Sequence, residues 1–102
     1  MPDSVKDFFE SDLPNIDPSR LEGMTNTYAF DIDGAGQWTV AIADGRLDVS
    51  EGLGEADCTI AASEETLLKI ARGEQNATSA YMTGKLKIKG DMGAALKLQK
   101  LF

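Results

Sequence analysis

The sequence predicts an α+β fold: one domain over residues 1–102, built on a single five-stranded, mostly antiparallel sheet with helices covering one face. Three observations carry this. Residues 27–61 hold four alternating apolar/polar runs, the first three joined by tight turns. Two capped helical segments follow, with apolar residues at helical spacing. The last stretch, Ala80 to Phe102, supplies one more alternating strand and a closing amphipathic helix.

The elements follow in order. Val5, Phe8, Phe9 and Leu13 fall near i, i+3, i+4 spacing and predict a helix over 4–13, broken by Pro14, Asp17 and Pro18. Residues 27–33 put Tyr28, Phe30 and Ile32 on one strand face, with Ala29, Asp31 and Asp33 on the other. Gly34-Ala35-Gly36 turns the chain into 37–43, where Trp38, Val40 and Ile42 share a face. Asp44-Gly45 is a strong hairpin signal leading into 46–50, with Leu47 and Val49 inward. After a Gly-rich loop, 56–61 forms a fourth strand with Cys58 and Ile60 on its apolar side. Ser63 caps a helix bearing Leu67, Leu68, Ile70 and Ala71, with Glu64 and Glu65 in its first turn and Gly73 just past its end. Asn76 caps a shorter helix through Tyr81 and Met82, closed at Gly84. Lys85 to Lys89 alternates again, lysines on one face and Leu86 and Ile88 on the other. Gly90-Asp91 then opens the closing helix with Met92, Ala95, Leu96, Leu98, Leu101 and Phe102. The interval between the fourth and fifth strands is long enough for a crossover. Asp31, Asp33, Gln37, Thr39, Asp48, Asp57, Thr59 and the three strand lysines are expected on a wet outer face.

Composition narrows the function. A net charge of −7 argues against general affinity for nucleic acid. The charge is uneven: residues 1–84 carry 5 basic and 16 acidic side chains, whereas 85–102 carry five lysines and Asp91. The basic end coincides with the apolar end, which reads first as a solvated lysine face guarding a sheet edge and second as a handle for transient membrane contact. No apolar run reaches the roughly 20 residues of a membrane-spanning helix. The acidic N-terminus shows no signal peptide, and one cysteine cannot form an internal disulfide, so a cytoplasmic location is expected.

Catalytic constellations fail one by one. The chain has no histidine, which removes the commonest general base, the Ser-His and Cys-His pairs and the usual zinc sets. Cys58 has no basic neighbour in sequence to lower its pKa and reads as a small buried side chain. Asp31-Ile-Asp33 begins like a calcium loop, but Ala35 and Ile42 stand where oxygen ligands are needed. Gly34-Ala-Gly36 lies between two strands and lacks a third glycine, so it is a turn and no dinucleotide site. No catalytic residue, metal or cofactor is expected. Met82 and Met92 flank the fifth strand, and methionine suits irregular apolar cavities as well as ordinary cores.

The ordered set of these segments resembles the sterol carrier protein type 2 family. The residues that carry the resemblance are Ala56-Asp57-Cys58-Thr59-Ile60, Leu67, Leu68, Gly73, Ala80 and above all Gly84-Lys-Leu-Lys-Ile-Lys-Gly-Asp-Met-Gly-Ala-Ala-Leu-Lys-Leu-Gln99. Gly36-Gln-Trp-Thr and Asp44-Gly45 match too, so the resemblance covers essentially the whole chain. It implies an apolar tunnel between sheet and helices and non-enzymatic binding or transfer of a fatty acid, fatty acyl-CoA or sterol-like lipid. Animal relatives often continue into a peroxisomal tripeptide, whereas this sequence reads Lys100-Leu101-Phe102, which points to a stand-alone bacterial-type member. Relatives fused to enzymes keep a second reading open, a protein-interaction or dimerisation module serving a lipid- or quinone-pathway enzyme. A monomer or weak dimer is expected.

The cavity wall expected from the strands is Phe30, Ile32, Trp38, Val40, Ile42 and Ile60. The helices are expected to add Phe8, Leu67, Ile70, Tyr81, Met82, Met92, Leu96 and Phe102, with Gln99 and Tyr81 near a polar head group. Leu101 and Phe102 are expected to lid the tunnel.

Overall fold

The computed structural model describes residues 4–101, with the side chains of residues 99 and 100 outside that description. Five strands form one mixed sheet in the order β3-β2-β1-β4-β5. They are β1 (Asn26–Asp33), β2 (Gly36–Ala43), β3 (Arg46–Glu51), β4 (Cys58–Ser63) and β5 (Leu86–Gly90). The first three are the expected antiparallel meander. The parallel pair is β1–β4, and β4–β5 is antiparallel despite the two helices between them. The crossover therefore lies between β3 and β4, earlier than the interval the sequence suggested. Helix length alone does not report whether a connection returns parallel or antiparallel. The loop after β3 carries the chain back past β2 to the far side of β1. Thr39 pins that loop: its hydroxyl donates to Gly52 O (2.7 Å) and accepts from Gly54 N–H (2.9 Å).

Strand β4 begins at Cys58, two residues later than expected, because Asp57 is committed elsewhere. Its carboxylate accepts from Thr27 N–H at 2.8 Å, its own N–H donates to Thr27 O, and its carbonyl accepts from Asp91 N–H at 2.9 Å. Asp57 thus ties the sheet centre to the start of the last helix. Gly90 makes that approach possible. A Cβ there would lie 2.4 Å from Asp57 O and 2.9 Å from Cys58 Cα, and its φ is +110°.

The first helix starts at α1 (Val5–Asp7) and widens into a π-helical turn (Phe8–Asp12) before a 3₁₀ turn (Leu13–Asn15). Widening lets Val5, Phe8, Phe9 and Leu13 all reach the core. Helix α2 (Glu64–Ala71) is capped by the Ser63 hydroxyl on Thr66 N–H, α3 (Ala77–Met82) by Asn76, and α4 (Met92–Lys97) by Asp91. A 3₁₀ turn (Leu98–Leu101) continues α4. Helix α2 packs on β1 and β4, α3 on β5, and α4 on β4 and β5.

The core lies between the sheet and these helices. Phe9 stacks on Trp38 with ring centres 4.7 Å apart and tilts against Phe30 at 4.9 Å. The Tyr28 hydroxyl donates to Ala94 O at 2.6 Å, a buried bond that fastens α4 to the central strand. Burial pushes the Tyr28 phenol above its ordinary range. Ala29, expected on the wet face, is buried as well, because β1 is central and Thr39 and Thr59 sit beside it.

Candidate functional site

One apolar cleft opens at the β5 edge of the fold. Helix α3 lends Ala77, Thr78, Tyr81 and Met82, β5 lends Leu86 and Ile88, and α4 with its 3₁₀ extension lends Met92, Ala95, Leu96 and Leu98. Its volume is about 220 Å³. Sequence places these groups together through two periodicities. Strand alternation turns Leu86 and Ile88 to the helical side while Lys85, Lys87 and Lys89 face away and are exposed. Helical spacing stacks Ala77 and Tyr81 on α3, and Met92, Ala95 and Leu96 on α4. Both helices have only six residues, so their opposing apolar faces do not close over each other. The floor is buried: Leu86, Ala95 and Leu98 are all under one-tenth exposed. The rim is not. Met82 is 78 % exposed, Leu96 68 %, Met92 44 % and Tyr81 40 %, and these are four of the five large exposed apolar residues described, Leu53 being the fifth.

Other hollows differ in chemistry. One beside the first helix is lined by Phe9, Glu10, Trp38, Asp48 and Glu51, and one on the open sheet face by Asp31, Asp33, Lys85 and Lys87. Both mix charge with short apolar stretches, and neither has the continuous apolar wall a lipid tail needs.

The structure sorts the fifteen candidate residues into three groups. Tyr81, Met82, Met92 and Leu96 meet at the cleft. Phe8, Phe30, Ile32, Trp38, Val40, Ile42, Ile60, Leu67 and Ile70 are buried in the core cluster. Gln99, as a side chain, and Phe102 lie outside the described residues. Leu101, expected as a lid, is 3 % exposed and belongs to the core. Six lining residues were absent from the candidate set: Ala77, Thr78, Leu86, Ile88, Ala95 and Leu98. The signal for Leu86 and Ile88 was the alternation of β5. Ala77 and Ala95 contribute through smallness, which a search for large apolar residues passes over.

No general base or nucleophile borders this cleft. Cys58 is buried, and burial first, then the charges of Asp57 and Asp91, push its thiol up to about 11. Among the described residues no three His, Cys, Asp or Glu side chains converge as a metal site, and no helix is long and apolar enough to cross a membrane.

A model of the SCP-2 sterol transfer family matches residues 6–102. Sterol carrier protein 2 of Rattus norvegicus is 41% identical over 80 residues, covering 72% of this chain and 15% of that protein. Hydroxysteroid dehydrogenase-like protein 2 of Danio rerio is 33% identical over 101 residues, covering 95% of this chain and 24% of that protein. The chain thus spans a quarter or less of the length of these relatives. Among solved structures, the sterol carrier protein domain 2 of Helicoverpa armigera superposes with a TM-score of 0.72 at 30% identity, covering 92% of this chain and 79% of that one. Palmitated SCP2L2 of Aedes aegypti shares the fold with a TM-score of 0.74 at 22% identity, covering 96% and 93%.

Proposed function

Because the chain belongs to the SCP-2 sterol transfer family, we propose that it is a non-enzymatic lipid carrier whose cleft between α3, β5 and α4 takes the tail of a long-chain fatty acid, fatty acyl-CoA or sterol-like molecule. The cleft carries this reading. It is lined by apolar side chains from three elements, with Tyr81, Met82, Met92 and Leu96 exposed at its rim. Exposing four such side chains together costs solubility unless something covers them. Two are methionines, whose flexible thioethers adapt to chains of different shape. The lack of histidine in the sequence and the raised, buried Cys58 thiol support binding without chemistry. The protein is proposed to act in the cytoplasm as a stand-alone carrier. Its one cysteine gives it no internal disulfide to lose in a reducing compartment.

Titration calorimetry with palmitate tests the reading. Saturable binding at micromolar affinity, roughly −8 kcal/mol, is expected. Trp38 is a poor reporter, since it lies against Phe9 in the core and not in the cleft wall. Absence of saturable heat with palmitate, palmitoyl-CoA and a sterol alike would remove the carrier reading. Steady hydrolysis of acyl-CoA that vanishes in Cys58→Ala would show an enzyme instead.

A further inference from the structure

We propose that the rim of the cleft is a docking surface for an anionic lipid bilayer, with Met82 and Leu96 entering the interface and Lys89 and Lys97 facing the head groups. Three observations converge on it. Met82 and Leu96 are the most exposed large apolar side chains described, and both stand at the cleft mouth. The first helix cannot serve this purpose, because Val5, Phe8, Phe9 and Leu13 spend its apolar stripe on the core. Charge supplies the third. In a chain of net −7, five of the ten basic residues lie at or after Lys85, with Asp91 the one acidic residue among them. Lys85 and Lys87 share a hollow with Asp31 and Asp33, which offset them. Lys89 at the end of the edge strand and Lys97 next to Leu96 are both exposed. Their long stems reach round an edge while keeping the ammonium in water. Asp91, the acidic group nearest them in sequence, has its carboxylate engaged by the N–H groups of Gly93 and Ala94. An apolar patch with basic neighbours on an otherwise acidic protein fits an anionic bilayer, which also attracts juxtaposed lysines. A second copy of this chain fits less well, since self-docking would set exposed apolar and basic groups against their own like.

The inference rests on the carrier reading for its purpose, since docking sets the cleft mouth against a lipid source, but its test does not depend on a bound ligand. Ligand-free protein is floated with phosphatidylcholine vesicles, with and without phosphatidylglycerol, at low and high salt. Flotation is expected with phosphatidylglycerol and low salt. Binding should fall about tenfold in Lys89→Gln/Lys97→Gln and to background in Met82→Ser/Leu96→Ser. Both pairs are exposed, so circular dichroism should show them folded. No flotation with phosphatidylglycerol overturns the proposal, and so does flotation that Met82→Ser/Leu96→Ser leaves unchanged. A dimer in analytical ultracentrifugation that this same pair dissolves, with no flotation, assigns the surface to a second copy and overturns it too. Palmitate calorimetry without vesicles stands apart and reports failure of the carrier reading on its own.

Discussion

Lengthening a saturated fatty acid one methylene at a time should give an affinity ladder with a break whose position the cleft sets. The cleft holds about 220 Å³. With each methylene given a water-like ~30 Å³, it accepts about seven of them. Each buried methylene is worth about 0.8 kcal/mol, close to fourfold in Kd. The full cleft therefore contributes about 6 kcal/mol. Carbons beyond that ride over Met82, Met92 and Leu96, which are already half or more in water, and should add much less. The expected curve rises fourfold per carbon up to about eight to ten carbons and then flattens. Calorimetry on the even-numbered acids, each kept below its micelle concentration, reads this directly. Ala77→Phe fills part of the cleft wall and should move the break to shorter chains. Two results would refute the reasoning. A flat ladder means that the tail is not buried. An unbroken fourfold rise through palmitate means that the chain enters the space where Phe8, Trp38 and Ile70 now pack, and that the site is the core.

Four further expectations concern the fold that holds the cleft. Leu101→Ala should lower the urea midpoint by an amount worth about 2–5 kcal/mol, because Leu101 is buried in the core; a loss under about 1 kcal/mol with faster lipid release would restore it as a lid. Gly90→Ala should cost at least about 2 kcal/mol by chemical denaturation, since its Cβ meets Asp57 O and its φ is +110°; a neutral result would show that β5 shifts freely. Tyr28→Phe leaves Ala94 O without its buried donor and should cost about 1–3 kcal/mol, with faster amide exchange in α4 as the local signature. The fourth expectation is a pH dependence. The folded Cys58 thiol sits near 11 against an ordinary 9.0, so the folded state holds its proton more tightly. That contribution is complete below about pH 9 and is lost as pH rises toward 11. Tyr28, raised from 10.0, extends the loss at higher pH. In Cys58→Ala the decline should begin near pH 10 instead of 9, as read by urea midpoints across the range.

Much of this was legible because one short-range rule decided it. Tyr28, Phe30 and Ile32 alternate with Asp31 and Asp33, and no register but one buries the first set. Ser63, Asn76 and Asp91 announce helix starts by chemistry that acts within three residues. What was missed depends on partners distant in sequence. Asp57 looked like a strand residue until the Thr27 amide and the Asp91 amide claimed it. Ala29 looked wet until a parallel neighbour covered it. The π-helical turn that lets both Phe8 and Phe9 face inward has no signature in apolar spacing, since two adjacent phenylalanines fit an ordinary helix with one of them on the flank.

The candidate cavity residues show the same division more sharply. Apolarity selected fifteen positions, but apolarity cannot tell a side chain that packs against another from one that packs against nothing. The difference lies in element length and place. Phe30, Trp38 and Ile60 sit on the three middle strands, where neighbours on both sides and a helix above leave no room. Tyr81, Met82, Met92 and Leu96 sit on two six-residue helices at the sheet edge, where β5 has a neighbour on one side only. Short helices are marginal on their own and depend on tertiary contacts, and here those contacts are few: the Tyr28 bond to Ala94, the Asp57 tie to Asp91, and the buried floor of Leu86, Ala95 and Leu98. A segment with so few fastenings belongs to the low-stability end of a structure, from which ligand-entry elements are drawn. The full core makes the scaffold rigid, and the lean edge leaves an apolar space that a guest can widen without unpacking it.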